Sequence, residues 1–238
     1  MDPVLIVVIA ALAMCGVEQL RPAVRQPRVP GWVLRLTALN AAQVGVVYLG
    51  ALTWDQWLPH WHVWDNSDLH PAIGLALGYL TITFVYYWWH RARHESPLLW
   101  RWLHQVHHSP VRLECLMSFY KHPLEILLNG LLSSTVLHVL LGLSPSTVAM
   151  VVTLTGVAEL FYHWNVRTPH WLGYLFQRPE MHRRHHERNW HRSNYSDLPL
   201  WDWLFGTFDN PRQLPAECGF ADQRELQLWT MLMGRRPR

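Results

Sequence analysis

The chain has 238 residues, room for one domain of ordinary size; half are apolar and only 16% are charged, a balance that points to a membrane. The formal charge of +3 is dispersed over arginines, with Lys121 the one lysine, which excludes a nucleic-acid patch. Three cysteines, Cys15, Cys115 and Cys218, have no short spacing and exclude both a disulfide framework and a thiolate metal site, leaving 16 histidines and 15 tryptophans as the unusual features.

Apolar stretches free of Lys and Arg cover residues 4–19, 36–54, 72–89, 126–143 and 147–162. Each is near the ~20 residues that cross ~30 Å of hydrocarbon. They predict an all-α integral membrane bundle of four or five transmembrane helices. A signal-peptide reading of the first stretch is weakened by Asp2 and by the lack of any basic residue before it. Arginine then sorts the loops, because cytoplasmic loops retain it. Arg21, Arg25, Arg28 and Arg35 follow the first stretch, whereas residues 55–70 carry Asp55, Asp65 and Asp68 and no basic residue. Arg91, Arg93, Arg101, Arg112 and Lys121 follow the third, the turn at 144–146 is uncharged, and everything after Tyr162 is arginine-rich. With five spans and an outer N-terminus, every Lys and Arg falls inside. The expected layout is a single membrane domain: N-terminal transmembrane helices over 1–71, a histidine-rich core over 72–209, and a C-terminal cytosolic tail over 210–238. The two inner segments should form one cytosolic helical cap.

The same sorting places His60, His62 and His70 outside and His138 within a span; the other twelve histidines lie inside or at inner helix ends. His90 and His94, in HRARH, are four residues apart and share one helix face. His104, His107 and His108, in HQVHH, have i, i+3, i+4 spacing, and His182, His185 and His186, in HRRHH, repeat it. His163 stands alone at the inner end of the fifth span. One such pair is more often a structural or surface feature, and one HxxHH equally a basic patch. Two copies of HxxHH after an HxxxH, all on one side, point to metal: nine imidazoles suffice for two ions with a position left open. Neutral imidazoles suit iron, copper or zinc, and a site bordering lipid favours iron, since zinc has no redox chemistry.

The strings YYWWHRARHESPLLWRWLHQVHHSP, YKHPLE, ELFYHWN, PEMHRRHHERN and SNYSDLPLWDWLFGTF resemble the fatty acid hydroxylase / sterol desaturase superfamily, over about residues 79–208. The resemblance implies a helical membrane enzyme with a histidine-bound di-metal centre. Such enzymes take electrons from a separate carrier for O2-dependent hydroxylation or desaturation. Carried over by position, the ligands are His90, His94, His104, His107, His108, His163, His182, His185 and His186, holding two iron ions, with zinc as an occupant after purification. The chain departs from its relatives at Ser196, where many have glycine, and at Asn165, where some have a second histidine. That leaves Asn165 or His122 as a tenth ligand, with a helix start before Pro123 as the alternative for His122. His170 and His191 fit no motif and read as surface or supporting histidines.

Glu125, Glu159, Asp197 and Asp202 are candidate acceptors for the outer N–H of metal-bound imidazoles. Glu159 sits inside an apolar span, where it alternatively pairs with Arg167. Trp201, Trp203 and Phe208 read as packing residues. The chain has no GxGxxG and no CxxCH, so electrons are expected from a ferredoxin or a cytochrome with its reductase, docking near Arg183, Arg184, Arg188 and Arg192. Lipid headgroups compete as partners for those arginines. The expected reaction is hydroxylation of an alkyl C–H bond of a fatty acyl, sterol or related lipid held in an apolar channel, with desaturation as the rival outcome. A non-catalytic metal carrier should spread ligands through the depth of the spans, yet only His138 lies mid-span. The expected location is a bacterial inner membrane, or the endoplasmic reticulum in a eukaryote, with the site on the cytosolic face.

Overall fold

Proline at the first helical turn, preceded by a side chain that caps the free N–H groups, starts four of the five long helices. The computed structural model describes residues 2–215 and 217–237. Helix α1 (Pro3–Leu20) is capped by Asp2, whose carboxylate accepts from the N–H of Val4 at 2.7 Å. Helix α2 (Trp32–Leu52) instead follows Gly31 in the left-handed region and leads into the short α3 (Trp54–Trp57). His70 caps α4 (Pro71–Glu95), His122 caps α7 (Pro123–Ser134), which continues as a π-helical turn to Leu140, and Ser144 caps α8 (Pro145–His163). These five helices are long and apolar enough to cross a membrane, the upper of the two numbers expected. The protein is an integral membrane, all-helical bundle; among the described residues the only strand-like pairing is an isolated bridge between Glu187 and Cys218.

Close approach, rather than escape from water, holds helices together in lipid, and small residues permit it. A Cβ on Gly78 would come within 2.7 Å of Val151 and 2.9 Å of Leu143, and one on Gly74 within 2.9 Å of Thr147. Glycine at both positions therefore lets α4 lie against α8, around buried Ile82, Leu137 and Val151. The predicted third span stops at residue 89, but α4 runs on to Glu95 and so carries His90 and His94 on continuous helix.

The cap is built from short pieces at the end of the bundle where α4 and α8 finish. After α5 (Pro97–Leu99) comes a π-helical turn, Trp100–His104, and then α6 (Gln105–His108). Farther on lie α9 (Pro179–His185), α10 (Pro199–Leu204) and α11 (Leu228–Leu232). The segment expected as a tail packs inward: Met231 joins Trp32, Val106 and Tyr120 in a buried cluster. The Gln105 side chain donates to the carbonyls of Met231 at 3.2 Å and Arg235 at 3.0 Å, tying α11 to the histidine-bearing helix.

Candidate metal centre

The nine predicted ligands converge at one end of the bundle in two groups. His90, His94, His104, His108 and His185 form one, and His107, His163, His182 and His186 the other. Within each group the candidate ligand atoms lie within 4.8 Å of one another. Each HxxHH motif is shared between the groups. Its i and i+4 histidines, on one helix face, serve one group, while the i+3 histidine, turned by ~100° from its neighbour, serves the other. The i, i+3, i+4 spacing thus distributes each motif over both groups. The two groups touch through the rings of His108 and His186, stacked with centroids 4.1 Å apart.

Outer hydrogen bonds orient these rings. Nδ1 of His90 donates to the Tyr195 carbonyl at 2.8 Å, that of His104 to the Glu125 carboxylate at 3.0 Å, and that of His185 to the Ser193 carbonyl at 2.6 Å. In the second group, Nδ1 of His107 donates to the Tyr120 carbonyl at 3.3 Å and that of His163 to the Glu159 carbonyl at 2.8 Å. With the proton fixed on Nδ1, each of these rings presents a lone pair at Nε2. The Nε2 atoms then face each other: His90 and His104 at 2.9 Å, His163 and His107 at 3.3 Å. Neither ring of either pair has a proton left to share, so two lone pairs oppose one another in each group. A cation between them removes the conflict, and ligand nitrogens ~2.1 Å from an ion are separated by roughly 3.0–3.4 Å. The donor set therefore fits a metal ion in each group.

Burial keeps the imidazoles of the cap in the neutral, ligating form. His104, His107, His108, His182 and His186 are held well below the ordinary imidazole range by desolvation, and His185 is pushed down to about 3. The supporting carboxylates differ from one another. Glu125 both accepts from His104 and pairs with buried Arg93, as expected of a supporting acceptor. Glu159 supports His163 through its backbone carbonyl only; its side chain pairs with Lys121 rather than with Arg167. Asp202 accepts from the N–H groups of Tyr195 and Ser196 and from the Thr207 hydroxyl, shaping the loop whose Tyr195 carbonyl holds His90. Asp197 lines the cavity described below, and burial raises its carboxyl to about 7.

Neither candidate for a tenth ligand joins the groups. Both ring nitrogens of His122 are engaged, one accepting from the Leu124 N–H and the other donating to the Leu232 carbonyl, so it is the helix start for α7. Asn165 hydrogen-bonds both backbone groups of Val24. His170 donates to the Asn210 carbonyl, and His138 is buried in the π turn of the fourth span. His60, His62 and His70 lie at the opposite end of α4 from His94. His191, unplaced by motif, packs its ring 4.8 Å from that of His108, and Trp100 lies 5.3 Å from the same ring. Sequence patterns could not reveal the carbonyls of Tyr120, Ser193 and Tyr195, because any residue type supplies a carbonyl.

A narrow cavity of about 210 Å³ runs between α2, α4, α7 and α8. It begins near Trp54 and Val148 at the outer end and finishes on His90, His104, His107, His163 and His182. The match to the sequence profile named fatty acid hydroxylase covers residues 75–207, more than half of the chain, and takes in all nine histidines. The chain belongs to the fatty acid hydroxylase family. It is 34% identical to the ornithine lipid hydroxylase OlsE of Rhizobium tropici over 158 residues, 64% of this chain and 46% of that protein. It is 30% identical to the human alkylglycerol monooxygenase over 62% of this chain and 34% of that protein. It is 32% identical to the very-long-chain aldehyde decarbonylase GL1-8 of Oryza sativa subsp. indica over 67% of this chain and 58% of that protein. This fatty acid hydroxylase family member thus spans between about a third and three-fifths of the length of those relatives. No solved structure gives a significant match.

Proposed function

We propose that the two imidazole groups hold two iron ions and that the protein uses O2 to hydroxylate an alkyl C–H bond of a membrane lipid. The reading rests on opposed Nε2 lone pairs in both groups at the closed end of a cavity that opens among membrane-spanning helices. Bound iron supplies the O2-activating redox chemistry. In balance, the lipid C–H and O2, with two electrons and two protons, become C–OH and water. The chain's own part is to fix the ligands, exclude water and present one carbon. Carbonyls of Tyr195, Ser193, Tyr120 and Glu159 and the Glu125 carboxylate hold the rings. The cavity between α2, α4, α7 and α8 leads onto the histidines, so that a chain lying in it brings a carbon to the centre.

The electrons are proposed to come from a ferredoxin or cytochrome docking on the cap, which the arginine distribution assigns to the cytosolic face. A bacterial inner membrane is the location we infer. Three of the four arginines singled out for docking are less available than their charge implies. Arg183 is buried against the Pro215 carbonyl, Arg184 pairs with Glu187 and Asp209, and Arg188 pairs with Glu217. A better-supported point of contact is a separate depression of about 310 Å³ on the cap, whose floor includes Trp100 and His191, the two rings packed on His108.

Purified protein analysed for metal, followed by mass spectrometry of lipids from cells expressing it, tests the reading. Bound iron and a product heavier by one oxygen are expected. A product lighter by two hydrogens would instead establish desaturation, and bound zinc without O2 uptake in iron-loaded protein would establish a carrier.

A further inference from the structure

The cavity is not the purely apolar channel an alkyl chain alone requires. Val46 and Val47 of α2 and Val148 and Val152 of α8 line it, but so do Gln43, Tyr86, Asn129 and Ser133 from within their spans. Polar side chains at this depth are costly unless they meet partners. Three of them are partly satisfied: Asn129 Oδ1 accepts from Trp89 Nε1 at 2.8 Å, and the Tyr86 hydroxyl bonds Ser133 Oγ at 2.7 Å and the Asn129 carbonyl at 3.0 Å. Two groups are left over. Asn129 Nδ2, turned away from Trp89, is a donor with no partner among the described residues, and the Gln43 amide, on α2, likewise has none.

We propose that this uncharged station binds an amide or hydroxyl of the lipid substrate, a group that accepts from Asn129 and exchanges hydrogen bonds with Gln43. Anionic headgroups fit poorly, because the four side chains are neutral and the two cations lining the cavity, Lys121 and Arg93, are already paired with Glu159 and Glu125. Position sets the regiochemistry. Asn129 lies one turn from Glu125 and Tyr86 one turn from His90, about 6 Å along each helix. The oxidised carbon is therefore only a few bonds from the polar group, not at the far end of the chain. The tail runs outward past Val152 to Val148, fifteen residues and about 22 Å from His163. That is beyond the midplane of a ~30 Å hydrocarbon core. Tyr86, Asn129 and Ser133 lie within the family-matched segment, and Gln43 outside it, on α2.

The inference rests on the proposed hydroxylase reading, and one set of samples separates the two. Iron-loaded full-length protein in detergent is titrated with N-hexadecylacetamide, with octadecan-1-ol and with n-octadecane, following thermal protection, while metal content and reductant-driven O2 uptake are measured in parallel. The amide and the alcohol are expected to protect and the alkane not. Gln43→Leu, which makes the span more apolar, is expected to weaken amide binding about tenfold with metal content unchanged. Equal protection by the alkane, or undiminished amide binding by Gln43→Leu, overturns the station even where iron and O2 uptake are intact. Loss of iron binding and O2 uptake in the wild type overturns the hydroxylase reading instead, and leaves the amide preference standing on its own measurement.

Discussion

The two imidazole groups are built from the same motifs but held differently. The five-histidine group has a charged support, since Glu125 takes the N–H of His104 and is itself fixed by buried Arg93. The four-histidine group is held by neutral carbonyls alone, those of Tyr120 and Glu159, and has one ligand fewer. A carboxylate acceptor makes an imidazole more basic, so the first group should bind its ion more firmly. The second, less filled and facing the cavity through His107, His163 and His182, is the more open to a reactant. The expected division between a firm and an open position rests on which atom lies behind each ring and on how many rings each group has.

The largest effects should come from the adjacent residues His185 and His186, which serve different groups. Either alanine substitution is expected to abolish turnover. Metal analysis with iron spectroscopy should show His185→Ala losing the first ion and His186→Ala the second; loss of both ions in each variant would show that the groups fill as one. Glu125→Gln should lower affinity for the first ion about 10- to 100-fold and leave the second in place, read by chelator competition. An equal loss from both groups would erase the contrast drawn above. Lys121→Met leaves the Glu159 side chain without its cation near the second group, and should cost about 3 kcal/mol of stability, with most of it regained in Lys121→Met/Glu159→Gln. Thermal unfolding in detergent checks this. His60→Ala and His62→Ala, at the outer end, should leave metal content and activity unchanged and stability within about 0.5 kcal/mol.

Much of this centre was legible in the order of residues because metal ligation needs a rare side chain at helical spacing. The three histidine motifs, the lone His163 and the arginine-free spans are such signals, and the nine histidines they mark meet at one end of the bundle. Glu125 was one of four carboxylates marked as candidate acceptors for an outer imidazole N–H, and it is the one that meets a ring directly. Glu159 was misread in its partner, because Lys121 approaches it from thirty-eight positions away, a proximity that only folding creates.

Residue types and their periodicity by themselves determined that the chain is a helical membrane bundle, and which imidazoles face inward at its basic end. Hydropathy and helical repeat are local properties, carried by each segment without reference to the others. Tertiary structure alone decided how nine rings divide into five and four, since each HxxHH turns neighbouring histidines toward different partners brought by other helices. It also decided which carbonyls set the tautomers and where unpaired amides from α2 and α7 line a common cavity, because those depend on distances between segments far apart in the chain.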